Sequence, residues 1–91
     1  TDLEEKSLTD PEKETLSHLD TLSRLLIVFR RHFWRVRDVV NFLTHIEEDK
    51  NEVKYIQMAY DNITQLIELV ESYRDTINSV RDLYIANISL K

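Results

Sequence analysis

The chain has 91 residues with no glycine, no cysteine and a single proline, and its net charge is −5 at pH 7. So short a chain holds at most one domain, and the absence of cysteine excludes disulfides, thiol catalysis and zinc–thiolate sites. Scarce turn formers argue against a sheet protein, and the acidic balance argues against a nucleic-acid module.

The first nine residues read as the frayed end of a preceding helix. There is no initiator methionine, and both ends read as cut. "LTDPEKETLSHL" then marks a helix start, with Asp10 as cap, Pro11 at the first helical position and Glu12 and Glu14 at the positive end of the dipole. Beyond it Leu16, Leu19, Leu22, Leu25/Leu26, Phe29, Phe33, Val36, Val40 and Leu43 recur at spacings of three and four. That pattern predicts one amphipathic helix over residues 10–45. Its longest apolar run, Leu25–Phe29, is far below the ~20 residues of a membrane span.

"HIEEDKNEVKY" is the second break, a turn over residues 46–51 in which Asp49 and Glu52 have the spacing of a capping box. A second helix is expected over residues 52–91, on Val53, Ile56, Tyr60, Ile63, Leu66/Ile67, Val70, Tyr73, Ile77, Val80, Tyr84 and Ile88. Arg74-Asp75 recurs within it as Arg81-Asp82, seven residues later. The expected fold is all-α, a long antiparallel hairpin of two helices each on the order of 50–60 Å long. Phe29, Phe33, Trp34 and Phe42 span more than one side of the first helix, so the hairpin needs a further apolar surface. A second copy or another part of a parent protein would supply it.

Chemistry-bearing groups are few. Arg30, Arg31, Arg35 and Arg37 form a basic cluster. It could bind phosphate or acidic lipid, but pairing with acids of the other helix or of a neighbour is the favoured reading. Glu14 and His18 stand four apart, and His45 precedes Glu47, Glu48 and Asp49. The Glu-x-x-His strings of a di-metal bundle are missing, so the acidic turn reads as solvated. No nucleophile–base grouping or glycine-rich loop is present, and no enzyme is expected. The second helix carries a stripe of short polar residues, Asp75, Asn78/Ser79, Asp82, Ala86 and Ser89. A solvated face is its plain reading; a narrow axial channel would also tolerate such side chains.

Two stretches resemble the cytoplasmic part of the CorA family of magnesium transport channels. "LLIVFRRHFWRVRDVVNFL" (Leu25–Leu43) is similar to the family's long descending helix. "YIQMAYDNITQLIELVESYRDTINSVRDLYIANIS" (Tyr55–Ser89) is similar to its stalk helix, with Tyr60-Asp61, Glu71-Ser72-Tyr73-Arg74-Asp75 and Asp82-Leu83-Tyr84 in order. The Asp-Pro turn of "LTDPEKETL" extends the resemblance over essentially the whole chain. The resemblance implies a regulatory and stalk segment on the cytoplasmic side of the cell membrane. It leads toward a first membrane span that this chain lacks, as it lacks the pore signature. It further implies a homopentameric parent inserted in the membrane, with magnesium or another divalent cation as cargo and gating ion and none evident for the segment itself.

In that frame Asp75, Asn78, Asp82 and Ser89 face the ion path, and Asp61 and Asp82 are the candidate metal contacts. Two departures stand out. Met58 occupies the family's cation-sensing aspartate position and cannot ligate magnesium, so the sensing site is lost or moved to Asp61. Arg35 stands where the family often has proline, which predicts a straighter first helix. The alternative to the channel reading is a helical hairpin unrelated to transport, an interaction module that dimerises into a four-helix bundle. An antiparallel dimer is also the expected state of the segment alone.

Overall fold

The computed structural model describes residues 8–90 and contains two helices, α1 (Asp10–Ile46) and α2 (Lys50–Ser89), with no strand among the described residues. The expected tail of a preceding helix falls almost wholly on residues 1–7, outside the described part. The helices have 37 and 40 residues, about 55 and 60 Å at ~1.5 Å per residue. The molecule measures 63 × 17 × 15 Å, so the two lie side by side over nearly their whole lengths. They are antiparallel: Ser23 meets Asn78, Arg30 meets Glu71 and Arg37 meets Tyr60, one number rising as the other falls.

Both starts differ slightly from the expectation. The cap of α1 is Thr9, not Asp10, because the Glu12 carboxylate reaches back to accept from the Thr9 N–H at 3.2 Å. Thr9-x-x-Glu12 is thus the box spacing, with Pro11 inside the first turn where its missing N–H costs nothing. At the other end Asp49 caps α2, but its side chain accepts from Asn51 at 2.8 Å and not from the expected third residue. Helical geometry therefore begins at Lys50. Glu47 closes the turn, its Oε1 accepting from the N–H groups of both Glu48 and Asp49 at 3.1 Å. α1 runs unbroken through Arg35.

The seam between the helices follows a strict heptad. On α1 the half-buried positions include Leu16, Leu19, Ser23, Leu26, Arg30, Phe33, Arg37, Val40 and Thr44. On α2 they are joined by the two buried residues in the run Val53, Ile56, Tyr60, Ile63, Ile67, Val70, Arg74, Ile77, Arg81, Tyr84 and Ile88. Alternating spacings of three and four are the signature of coiled-coil packing. One register of each helix is wholly apolar up to Tyr84, whereas the other carries Ser23, Arg30, Arg37 and Thr44 in succession on α1 and Arg74 and Arg81 in succession on α2. Thr44 and Thr64, also half-buried, satisfy their hydroxyls on the carbonyls four residues back, Val40 and Tyr60.

The apolar stripes read from the sequence are therefore split. Leu22, Leu25, Phe29, Val36 and Leu43 fall outside the seam on α1, as do Leu66, Tyr73 and Val80 on α2, each 41–53% exposed. A 3.5-residue seam selects only one of two neighbouring apolar rows, and the other stays in solvent. Within the two helices only Ile67 and Val70 are buried. Ile67→Ala is expected to cost about 2–3 kcal/mol by removing a seam side chain at the best-covered level. Lys54→Ala on the exposed side should stay within ~0.5 kcal/mol. Urea unfolding followed by circular dichroism compares the two.

Candidate functional site

The basic cluster does not act as one unit. Arg31 and Arg35 are exposed, and among the described residues neither has an ion-pair partner. Arg30 and Arg37, seven residues apart, turn into the seam. Arg30 lies 3.9 Å from the Glu71 carboxylate across the helices, a loose and half-exposed pair. The Arg37 guanidinium lies over the Trp34 ring at 3.9 Å and faces the Tyr60 ring at 5.4 Å. Tyr60 is thereby tied to α1 by a cation–π contact, a geometry that a planar guanidinium suits better than an ammonium.

The repeated Arg-Asp pair resolves into two surfaces. Arg74 and Arg81 sit in the seam, while Asp75 and Asp82 stand on the exposed side. Among the described residues, the Nε of Arg74 is buried without a hydrogen-bond partner. Asp75 and Asp82 continue a row that begins at Asp61 and includes Glu68, with Ser89 as its next member, all at seven-residue spacing and all exposed. Glu68 is the member that sequence reading passed over; the seven-residue interval was the available signal. Successive carboxylates in the row are roughly 10 Å apart along the axis.

Magnesium holds its oxygens at ~2.0–2.1 Å, so neighbours in one row cannot share an ion. Consistently, no group of three or more His, Asp or Glu side chains converges among the described residues. Asn78 stands apart from the row: it is exposed, but its Oδ1 accepts from the Ser23 hydroxyl of α1 at 3.4 Å. The Ser89 hydroxyl donates to the Ile85 carbonyl at 2.9 Å, which leaves its lone pairs able to accept. Met58 is 54% exposed and offers only a thioether on this helix. The acidic turn is likewise committed locally, through Glu47 and Asp49 to backbone N–H groups.

Compared with known proteins, the sequence matches the family model described as "CorA-like Mg2+ transporter protein" over residues 1–91. The chain belongs to the CorA-like family. It is 34% identical over 92 residues to the "Cobalt/magnesium transport protein CorA" of Thermotoga maritima, covering 98% of this chain and 26% of that protein. Over 64 residues it is 33% identical to the "Putative metal ion transporter YfjQ" of Bacillus subtilis, covering 70% of this chain and 19% of that protein. This CorA-like chain thus spans about a quarter or less of the curated relatives it matches. No solved structure matches it. None of the helices described is long and apolar enough to cross a membrane.

The seam arginines set the energetic expectations. Replacing Arg37 by Ala or Lys should cost about 1 kcal/mol through the lost stacking on Trp34 and Tyr60, and Arg31→Ala should be neutral. Arg74→Met should raise stability by roughly 1 kcal/mol, because it removes a buried donor that has no acceptor. Thermal unfolding of these single-site variants against the parent sequence checks both signs.

Proposed function

We propose that the hairpin is the regulatory stalk segment of a divalent-cation channel, lying on the cytoplasmic side of the membrane in a homopentamer and doing no catalysis. The single observation that carries this reading is the exposed row Asp61, Glu68, Asp75 and Asp82 in a chain that belongs to the CorA-like family. One copy offers one carboxylate per level, too far from the next to chelate. Copies arranged around an axis would bring several carboxylates to each level. Crowded acids are tolerable only with a cation among them, since like charges otherwise raise the cost of ionisation.

Magnesium or cobalt would be both cargo and gating ion. With the cation abundant inside the cell the carboxylate levels are bridged and the stalk is held together; as it falls, repulsion loosens the assembly toward conduction. Asp82, with Ser89 one heptad on, suits a ring that holds hydrated ions. Asp61 stands one turn from Met58 and is the remaining carboxylate in the sensing region. Asp75 and Ser89 line the same row, whereas Asn78 contributes at its edge through Ser23.

Magnesium uptake into vesicles bearing the transporter that contains this segment tests the reading. Internal magnesium is expected to suppress flux in the parent sequence, and Asp61→Asn combined with Asp82→Asn should retain flux at least ~5-fold above it under the same internal load. Equal suppression of both proteins, or a parent sequence indifferent to internal magnesium, overturns it.

A further inference from the structure

Four of the chain's seven arginines, Arg30, Arg37, Arg74 and Arg81, are half-buried along the seam, whereas Arg24, Arg31 and Arg35 are exposed. Every described lysine is exposed. The seam cations are distributed so that one accompanies each carboxylate of the outer row. Arg74 and Arg81 directly precede Asp75 and Asp82. Nearer the turn, where the same register of α2 holds Tyr60 and Ile67, α1 supplies the cation instead. Arg37 faces Tyr60, the neighbour of Asp61, and Arg30 lies 3.9 Å from Glu71, one turn from Glu68. Where α2 carries its own arginines, the polar register of α1 holds Ser23 and Leu16.

Pairing within the hairpin does not account for these charges. Adjacent residues diverge by about 100° around a helix, so Arg74 and Arg81 turn away from the acids that follow them. Among the described residues neither makes an ion pair, and the Arg74 Nε has no acceptor at all. Arg30 shares its charge loosely with Glu71, and Arg37 rests on rings that leave its charge intact. Charges held this way in a seam cost stability. Their field nonetheless reaches the row. Half-burial weakens the screening of that field, which in open electrolyte decays over ~8 Å.

We propose, on the regulatory reading above, that the seam arginines are a fixed counter-charge to the carboxylate row and set the concentration at which a divalent cation occupies it. In a ring of copies each level gathers several carboxylates and, behind them, an equal number of guanidiniums. The guanidiniums ease the repulsion among empty carboxylates and oppose an incoming dication. Both effects weaken cation binding, so the stalk is bridged only when the internal cation is abundant. Arginine suits the role because its charge persists on half-burial, where an ammonium is more readily neutralised. Arg74 and Arg81, which no acid of the seam offsets, carry the larger share.

Magnesium flux through the full transporter in vesicles, followed against internal magnesium, tests this. Arg81→Met and Arg74→Met remove the charge and keep an unbranched side chain in the seam. Each is expected to lower the half-suppressing internal magnesium roughly 3-fold, summed over the copies of a ring. Arg81→Lys keeps the charge and should stay within ~1.5-fold of the parent sequence. Higher ionic strength should shrink the Arg81→Met shift. Direction separates this role from a merely structural one, because a loosened seam would raise the half-suppressing concentration. Arg74→Met, expected to stabilise the hairpin, serves if the Arg81 variant fails to assemble. An unchanged or raised half-suppressing concentration in the Met variants overturns the inference and leaves the regulatory reading standing. So does an Arg81→Lys shift as large as that of Arg81→Met. A parent sequence indifferent to internal magnesium overturns both.

Discussion

Everything in this molecule depends on a seam that is only half apolar. Two antiparallel helices meet along a strict three–four spacing, but one of the two seam registers on each helix gives way to arginine along the middle and far end of the hairpin. Hydrophobic burial therefore concentrates at a few levels, with Ile67 and Val70 the buried residues of the two helices. The arginines that interrupt it are accommodated in different ways. Arg37 stacks on two rings, Arg30 reaches toward Glu71, and Arg74 leaves a donor unmet. Charges at such positions specify which partner and which level a helix accepts, at some cost in stability.

The same seam organises the outer surfaces. Because the heptad turns Arg74 and Arg81 inward, it turns Asp75 and Asp82 outward, so one Arg-Asp repeat supplies both the interhelical cations and the exposed acids. α2 is consequently charged with opposite sign on two faces. An assembly that surrounds the acidic row would leave the arginine seam and the neighbouring apolar rows to hold the subunits' helices in place. Interhelical cations and exposed acids are thus separated by helical geometry alone, without any loop insertion.

The fold was legible because nothing in the sequence competes with helix: no glycine, one proline at a helix start, and apolar residues at helical spacing throughout. The turn was legible from Asp49 and its acidic neighbours. What the apolar pattern could not decide was which of two adjacent rows faces the other helix. Leu22 and Leu26 are equally apolar, as are Leu66 and Ile67, and only the mutual fit of the helices picks Leu26 and Ile67. For the same reason the arginine cluster reads as one patch, although Arg30 and Arg37 lie inside the seam and Arg31 and Arg35 outside it. The Thr9 cap was not legible because Asp10 is the stronger capping residue by type, while the Glu12 carboxylate responds to spacing. The acidic row was legible in part, and its member Glu68 shows that periodicity, more than residue type, defines it.

The connection between the helices has a consequence for uniqueness. One seam register of α2 is close to translationally repetitive: sliding the helix by one heptad would exchange Ile56 for Ile63 and Ile63 for Val70. Such a slip covers roughly 10 Å, and that register alone would penalise it only weakly, whereas the other would put Arg74 in the place of Ile67 and Ile67 opposite Arg37 in the place of Tyr60. The three residues Glu47–Asp49 span at most ~10 Å when fully extended, and they are already engaged by two caps. A shift could proceed only by unravelling helix ends. Tether and seam arginines together make the alignment single-valued, and the carboxylate levels inherit their heights from both.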